Sequence, residues 1–193
     1  MKKDIILAGV GGQGILSIAA AIGFAAVHEN LNIKQSEVHG MSQQGGEVYS
    51  HLRLSSGPIW SDLIPQGMAD MILAVEPMEA LRYLPYLQPG GWLITSSSPV
   101  KNIPEYPGEK EIMDAAGMVE RHIVVDAVDL AKKAGYAKAA NMVMLGAASP
   151  GLEISENAFI FGIKQLFSRK GQDVVETNIA AFHAGRAAAL SKT

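Results

Sequence analysis

Six residues constrain this chain more than any others: Gly9-Val10-Gly11-Gly12-Gln13-Gly14. They satisfy the G-x-G-x-x-G pattern directly after Asp4 to Val10, a run that beyond Asp4 is apolar or small and reads as a strand buried on both faces. After Gly14 the sequence switches to a small-residue helix ending near His28-Glu29-Asn30. Strand, tight glycine turn and helix in that order place the helix N-terminus over the turn, where free N–H groups and partial positive charge suit a phosphate or carboxylate. Gly9, Gly11, Gly12, Gln13 and Gly14 are therefore the candidate cofactor-binding residues. The bland alternative is that the glycines only let strand and helix pack closely. Glu37 lies 23 residues beyond Gly14, at the end of the next expected strand, placed like the acidic residue that takes a ribose hydroxyl in dinucleotide-binding folds.

The remaining pattern extends this start. Ile33 to Val38 supplies a second strand, so the opening is expected to be a βαβ unit with a right-handed crossover. From Glu47 to Leu54, Val48, Ser50, Leu52 and Leu54 alternate with Tyr49, His51 and Arg53, the period of a strand with one buried face and one outward face. Further strands are expected at Asp70 to Val75, Gly91 to Thr95 and His122 to Asp126, with Pro77 opening a short helix and Pro89-Gly90-Gly91 forming a turn. Ser96 to Gly108 reads as an irregular connection before a helix near Glu109 to Met118. Four helices follow, one of them capped by Ser155 with Ile154 and Phe159 as a hydrophobic staple. The fold class is α/β: a doubly wound, mostly parallel, Rossmann-like sheet with helices on both faces and a helical C-terminal segment. No repeat, low-complexity tract or linker divides residues 1–193, which are expected to form a single domain.

Composition excludes several functions. Sixteen basic against nineteen acidic residues give a formal charge of −3, which provides no field for nucleic acid or an anionic membrane surface. The absence of cysteine removes disulfides, thiolate-bound zinc, a cysteine nucleophile and any iron–sulfur cluster held by this chain. His28, His39, His51, His122 and His183 include no pair at metal-ligand spacing, so no metal site is expected. Ile5 to Val10 is too short for the apolar core of a signal peptide, and Ile15 to Val27 is too short to span a bilayer, so a cytoplasmic protein is expected.

A second loop carries the more specific signal. Ser36-Glu37-Val38-His39-Gly40-Met41-Ser42-Gln43-Gln44-Gly45-Gly46 gathers polar side chains and three glycines at the end of the second expected strand. Together with the first glycine turn and with Tyr49, His51 and Arg53, this segment resembles the gamma-domain family of pyruvate/2-oxoacid:ferredoxin oxidoreductases, and within it the small subunits of the indolepyruvate type. The likeness runs over most of the chain and is strongest across residues 7–54. It implies an accessory subunit, inactive alone, of an enzyme that oxidatively decarboxylates an aryl 2-oxoacid to an acyl-CoA. A larger partner would carry thiamine diphosphate and [4Fe-4S] clusters and pass electrons to ferredoxin. On this resemblance the first loop contacts coenzyme A, this chain alone binds no cofactor, and Glu37, His39, Met41, Gln43, Gly45, Gly46, His51 and Arg53 contact the partner or the active site. Residues 38–47 form the principal docking loop, with Met41 as its one large apolar anchor. Gln44 stands where the family usually has arginine, so the second loop lacks a bidentate clamp for an anion. The competing reading is a self-contained NAD(P)-dependent dehydrogenase or nucleotide-sensing module, which explains Gly9 to Gly14 and Glu37 but supplies no acid–base pair at an interpretable spacing.

Overall fold

The structure, a computed structural model, describes residues 1–39 and 45–192. Gly40 to Gln44, and with them the expected contact residues Met41 and Gln43, lie outside the described residues. Among these residues six strands form one sheet: β1 (Lys2–Val10), β2 (Asn32–His39), β3 (Glu47–Ser55), β4 (Ala69–Ala74), β5 (Leu87–Ser96) and β6 (His122–Val125), in spatial order β2-β3-β1-β4-β5-β6. β1, β4, β5 and β6 are mutually parallel, while β3 is antiparallel to both β1 and β2.

Among the described residues seven α-helices cover the two faces: α1 (Ile15–His28), α2 (Pro77–Arg82), α3 (Glu109–Gly117), α4 (Ala127–Lys133), α5 (Ala140–Ala148), α6 (Glu156–Phe167) and α7 (Gln172–Leu190). The alternation within β1 sorts the core. Ile5 and Leu7 join the large cluster under α1 and α4 to α7, whereas Ile6 and Ala8 join the smaller one with Ala80 of α2 and Ala116 of α3. Small residues let the helices of the large layer approach closely. A Cβ on Gly146 of α5 would lie 1.9 Å from Phe182 O, and one on Gly185 of α7 would lie 1.8 Å from Val143 O. α6 begins as its sequence dictates: Ser155 Oγ accepts from Ala158 N–H at 3.2 Å, with buried Ile154 and Phe159 in the same core cluster.

Three expectations need correction. The first is the βαβ opening: β1 and β2 run in the same direction, but β3 lies between them, so they stand two strand spacings apart, roughly 9–10 Å. The reason is apolar content. β1 is buried on both sides and pairs with Leu52 and Leu54 of β3, whereas polar β2, with Lys34 and Gln35 exposed, suits the sheet edge. The second is the turn at Pro89-Gly90-Gly91, which is strand: β5 runs through it, with a register shift against β4 between Ala69 and Met71. The third concerns the face of β3 carrying Tyr49, His51 and Arg53, which is not open to solvent. Segment 56–68 and Tyr83 and Tyr86 fold over it.

Candidate functional site

The glycine turn closes the carboxyl end of β1, between the ends of β3 and β4. Gly14 adopts φ 80° and ψ 30° as it enters α1, a left-handed conformation that a side chain would strain. A Cβ there would also strike Asn141 Nδ2 at 2.5 Å, the nitrogen that donates to Gly14 O at 3.3 Å. Gly9 serves close packing, since a Cβ would lie 2.3 Å from Val75 Cγ2. The Gln13 carboxamide is fully engaged within the fold: Oε1 accepts from Val10 N–H at 2.8 Å, and Nε2 donates to Val75 O at 3.3 Å. This side chain fastens the turn to the end of β4.

The backbone donors divide into two sets. Gly11 N–H donates to Gly46 O at 2.8 Å and Gln13 N–H to Val10 O at 3.1 Å, so both are used within the fold. Those of Gly12, Gly14, Ile15 and Leu16 have no protein acceptor among the described residues. These amides, at and just before the first turn of a fourteen-residue helix, suit a negative charge. The Gly11–Gly46 bond brings the two glycine loops together, and Asn102 Nδ2 donates to Gly45 O at 2.7 Å, tying the second loop to the segment after β5.

Two cavities flank the turn and share Gly12. One, of about 350 Å³, is lined by Gly11, Gly14, Leu16, Ser17, Glu37 and Val48. Glu37 therefore meets the glycine turn across a cavity, although β3 separates its strand from β1. The other, of about 490 Å³, lies beyond the carboxyl ends of β4, β5 and β6, with Val75, Ser96, Ser98, Val128, Lys138 and Met144 among its walls. That position is the crevice where the chain switches from α1 on one face to α2 and α3 on the other.

The other expected site residues lie apart from this corner. The backbone of His39 ends β2, paired with Val48. His51 and Arg53 oppose Ile6 and Asp4, three and five residues back along β1 from Gly9, roughly 10 and 17 Å away. Arg53 makes a bidentate pair with the buried Asp4, Nε to Oδ1 at 2.7 Å and Nη2 to Oδ2 at 3.0 Å. Its Nη1 donates to Ser61 O and Leu63 O at 3.1 and 3.0 Å. His51, 4 % exposed, accepts from Ile64 N–H through Nδ1 at 3.2 Å, and burial lowers its pKa. Both side chains hold segment 56–68 against the sheet, and that work leaves His51 no surface for another chain.

Sequence reasoning missed Glu76. Wholly buried at the end of β4, it caps α2 by accepting from Glu79 N–H at 2.8 Å. It also holds the segment after β5, accepting from Val100 N–H at 3.3 Å and from the Tyr106 hydroxyl. Burial, then the bond to Glu76, raises the Tyr106 pKa. Burial likewise raises the Glu79 carboxyl despite its bond to Arg82 at 2.9 Å. The available signal was an acidic residue directly before a proline at the first helical position. Among the described residues no group of three His, Cys, Asp or Glu could hold a metal ion, and no helix is long and apolar enough to cross a membrane.

With this geometry in hand, comparison with known proteins is specific. The family described as pyruvate ferredoxin/flavodoxin oxidoreductase matches residues 4–188. An indolepyruvate oxidoreductase subunit from Methanothermobacter thermautotrophicus is 35% identical over 201 residues, covering 98% of both chains. The gamma subunit of a keto/oxoacid ferredoxin oxidoreductase from Geobacter sulfurreducens superposes with a TM-score of 0.72 at 26% identity, covering 98% of this chain and 99% of that one. A 2-oxoglutarate:ferredoxin oxidoreductase from Magnetococcus marinus, solved with 2-oxoglutarate, coenzyme A and succinyl-CoA bound, shares the fold at 24% identity and a TM-score of 0.79. This chain matches it over its own full length but spans only 32% of that longer chain. The family match over residues 4–188 and the 35% identity across nearly the whole sequence make this chain a member of the pyruvate ferredoxin/flavodoxin oxidoreductase family.

Proposed function

We propose that this chain is the accessory subunit of an indolepyruvate-type 2-oxoacid:ferredoxin oxidoreductase and presents its glycine turn to coenzyme A. The observation that carries the reading is the set of free N–H donors on Gly12, Gly14, Ile15 and Leu16 beside the 350 Å³ cavity, in a chain of this family. A phosphate fits such a corner, because the amides and the helix dipole both favour negative charge. Glu37 on the opposite wall repels a second phosphate and accepts a hydroxyl, which orients a phosphorylated ribose with its sugar toward β2. When bound, coenzyme A supplies the thiol that receives the acyl group.

The catalytic groups belong elsewhere on this reading. A chain without cysteine cannot ligate a [4Fe-4S] cluster, so clusters and thiamine diphosphate fall to a larger partner subunit. The residues the resemblance assigns to partner contact then include Glu37, His39, Met41, Gln43, Gly45 and Gly46. Reconstitution tests the proposal. Neither the isolated chain nor the large subunit alone should oxidise an aryl pyruvate with coenzyme A and ferredoxin, and mixing them should restore turnover. Turnover by this chain alone, or saturable NADH binding with silence toward coenzyme A, would overturn it in favour of a self-contained nucleotide-dependent protein.

A further inference from the structure

The two cavities at the glycine turn differ in charge. Among the described residues the ionisable side chain lining the 350 Å³ cavity is that of Glu37. Among the described residues the one lining the 490 Å³ cavity is that of Lys138. Lys138 is exposed at its rim and makes no ion pair with any described residue. Neutral donors accompany it. The Ser98 hydroxyl has no protein partner among the described residues. Ser96 Oγ accepts from Ser98 N–H at 3.1 Å, which leaves its own proton available. Asn141 is a fixed wall, its carboxamide held by Gly14 O and by the Met142 N–H. Gln13 also lines it, its carboxamide engaged within the fold, and Val75, Val128 and Met144 are among the apolar walls.

We propose that this cavity, beyond the ends of β4 to β6, binds a small carboxylate with an aromatic or branched apolar body. The head lies between Lys138 and Ser98, and the body lies against Val75, Val128 and Met144. One cation with neutral donors matches a single negative charge, and apolar walls reward a body that sheds water. The proposal is independent of the coenzyme A reading, which concerns the cavity on the other side of the turn.

The test uses the full chain with phenylacetate and phenylpyruvate as probes, and inorganic phosphate and ADP as the phosphate source. With ¹³C-methyl methionine labelling, either aromatic carboxylate should shift the Met144 methyl signal saturably, through the ring current of a body packed against it. Lys138→Gln should weaken binding about fivefold, the range expected for one rim charge. Val128→Trp, which fills the cavity from a half-buried position, should abolish the shift while leaving the melting curve of the free protein unchanged. Failure of Met144 to respond at millimolar probe would overturn the proposal, as would equal affinity in Val128→Trp. Displacement of phenylacetate by ADP or phosphate would reassign the cavity to phosphate and overturn it as well. Loss of reconstituted turnover is not part of this readout, so each proposal can fail without the other.

Discussion

Gln13→Ala removes the side chain that fastens the glycine turn, and its cost follows from two hydrogen bonds. The bond from Gln13 Nε2 to Val75 O, at 3.3 Å, contributes about 0.5–1 kcal/mol net. The bond from Val10 N–H to Oε1, at 2.8 Å, matters more, because Val10 is buried and its amide has no second acceptor in the truncated side chain. An orphaned buried N–H costs about 1–3 kcal/mol, so the total loss is about 1.5–4 kcal/mol. For a chain of this length that is about 3–16 °C in Tm. The assay is urea unfolding followed by circular dichroism, in which the midpoint should fall at unchanged slope. Gln13→Met, which keeps the volume and loses both bonds, should lose a similar amount, and native-state exchange of the Val10 amide should quicken in both variants. Wild-type stability in Gln13→Ala, coupled with weakened ADP or coenzyme A binding, would refute this reasoning. It would show that the side chain serves a ligand and that the two bonds are incidental.

His51 makes stability depend on pH. Burial lowers its pKa below the ordinary 6.5, so between the two values the unfolded state binds more protons and stability rises with pH. The contribution is complete above 6.5 and is lost as pH falls below it, because the imidazolium cannot accept from Ile64 N–H. His51→Asn keeps an acceptor without titrating, and the difference between wild-type and variant Tm curves from about pH 7.5 to about pH 5.5 should isolate the effect. Gly185→Ala should destabilise by about 3 kcal/mol or more in chemical denaturation, because its Cβ would lie 1.8 Å from Val143 O and force α5 and α7 apart. Gly117→Ala, at the end of α3 with open space around the new methyl, should instead stabilise by about 0.5–1 kcal/mol.

The opening of the chain was legible because its signals are local. Apolar residues from Ile5 to Val10, glycines at 9, 11, 12 and 14 and small residues after them dictate strand, turn and helix through steric and periodic rules that act within a few residues. The Ser155 cap was readable for the same reason. Strand order was not readable, since period tells which side chains are buried but not which neighbour buries them. β3 reached the place beside β1 because its leucines complete a doubly buried strand, a choice made between segments far apart in sequence. Charged and polar residues misled most. Arg53 and His51 look solvated by their types, yet Asp4 and the Ile64 N–H, supplied by distant parts of the chain, make their burial favourable. Likewise, nothing in the sequence links Gly12 to Lys138 or Glu37. Only the folded sheet gathers strand ends at one edge, so the charges on either side of the glycine turn were decided by tertiary structure.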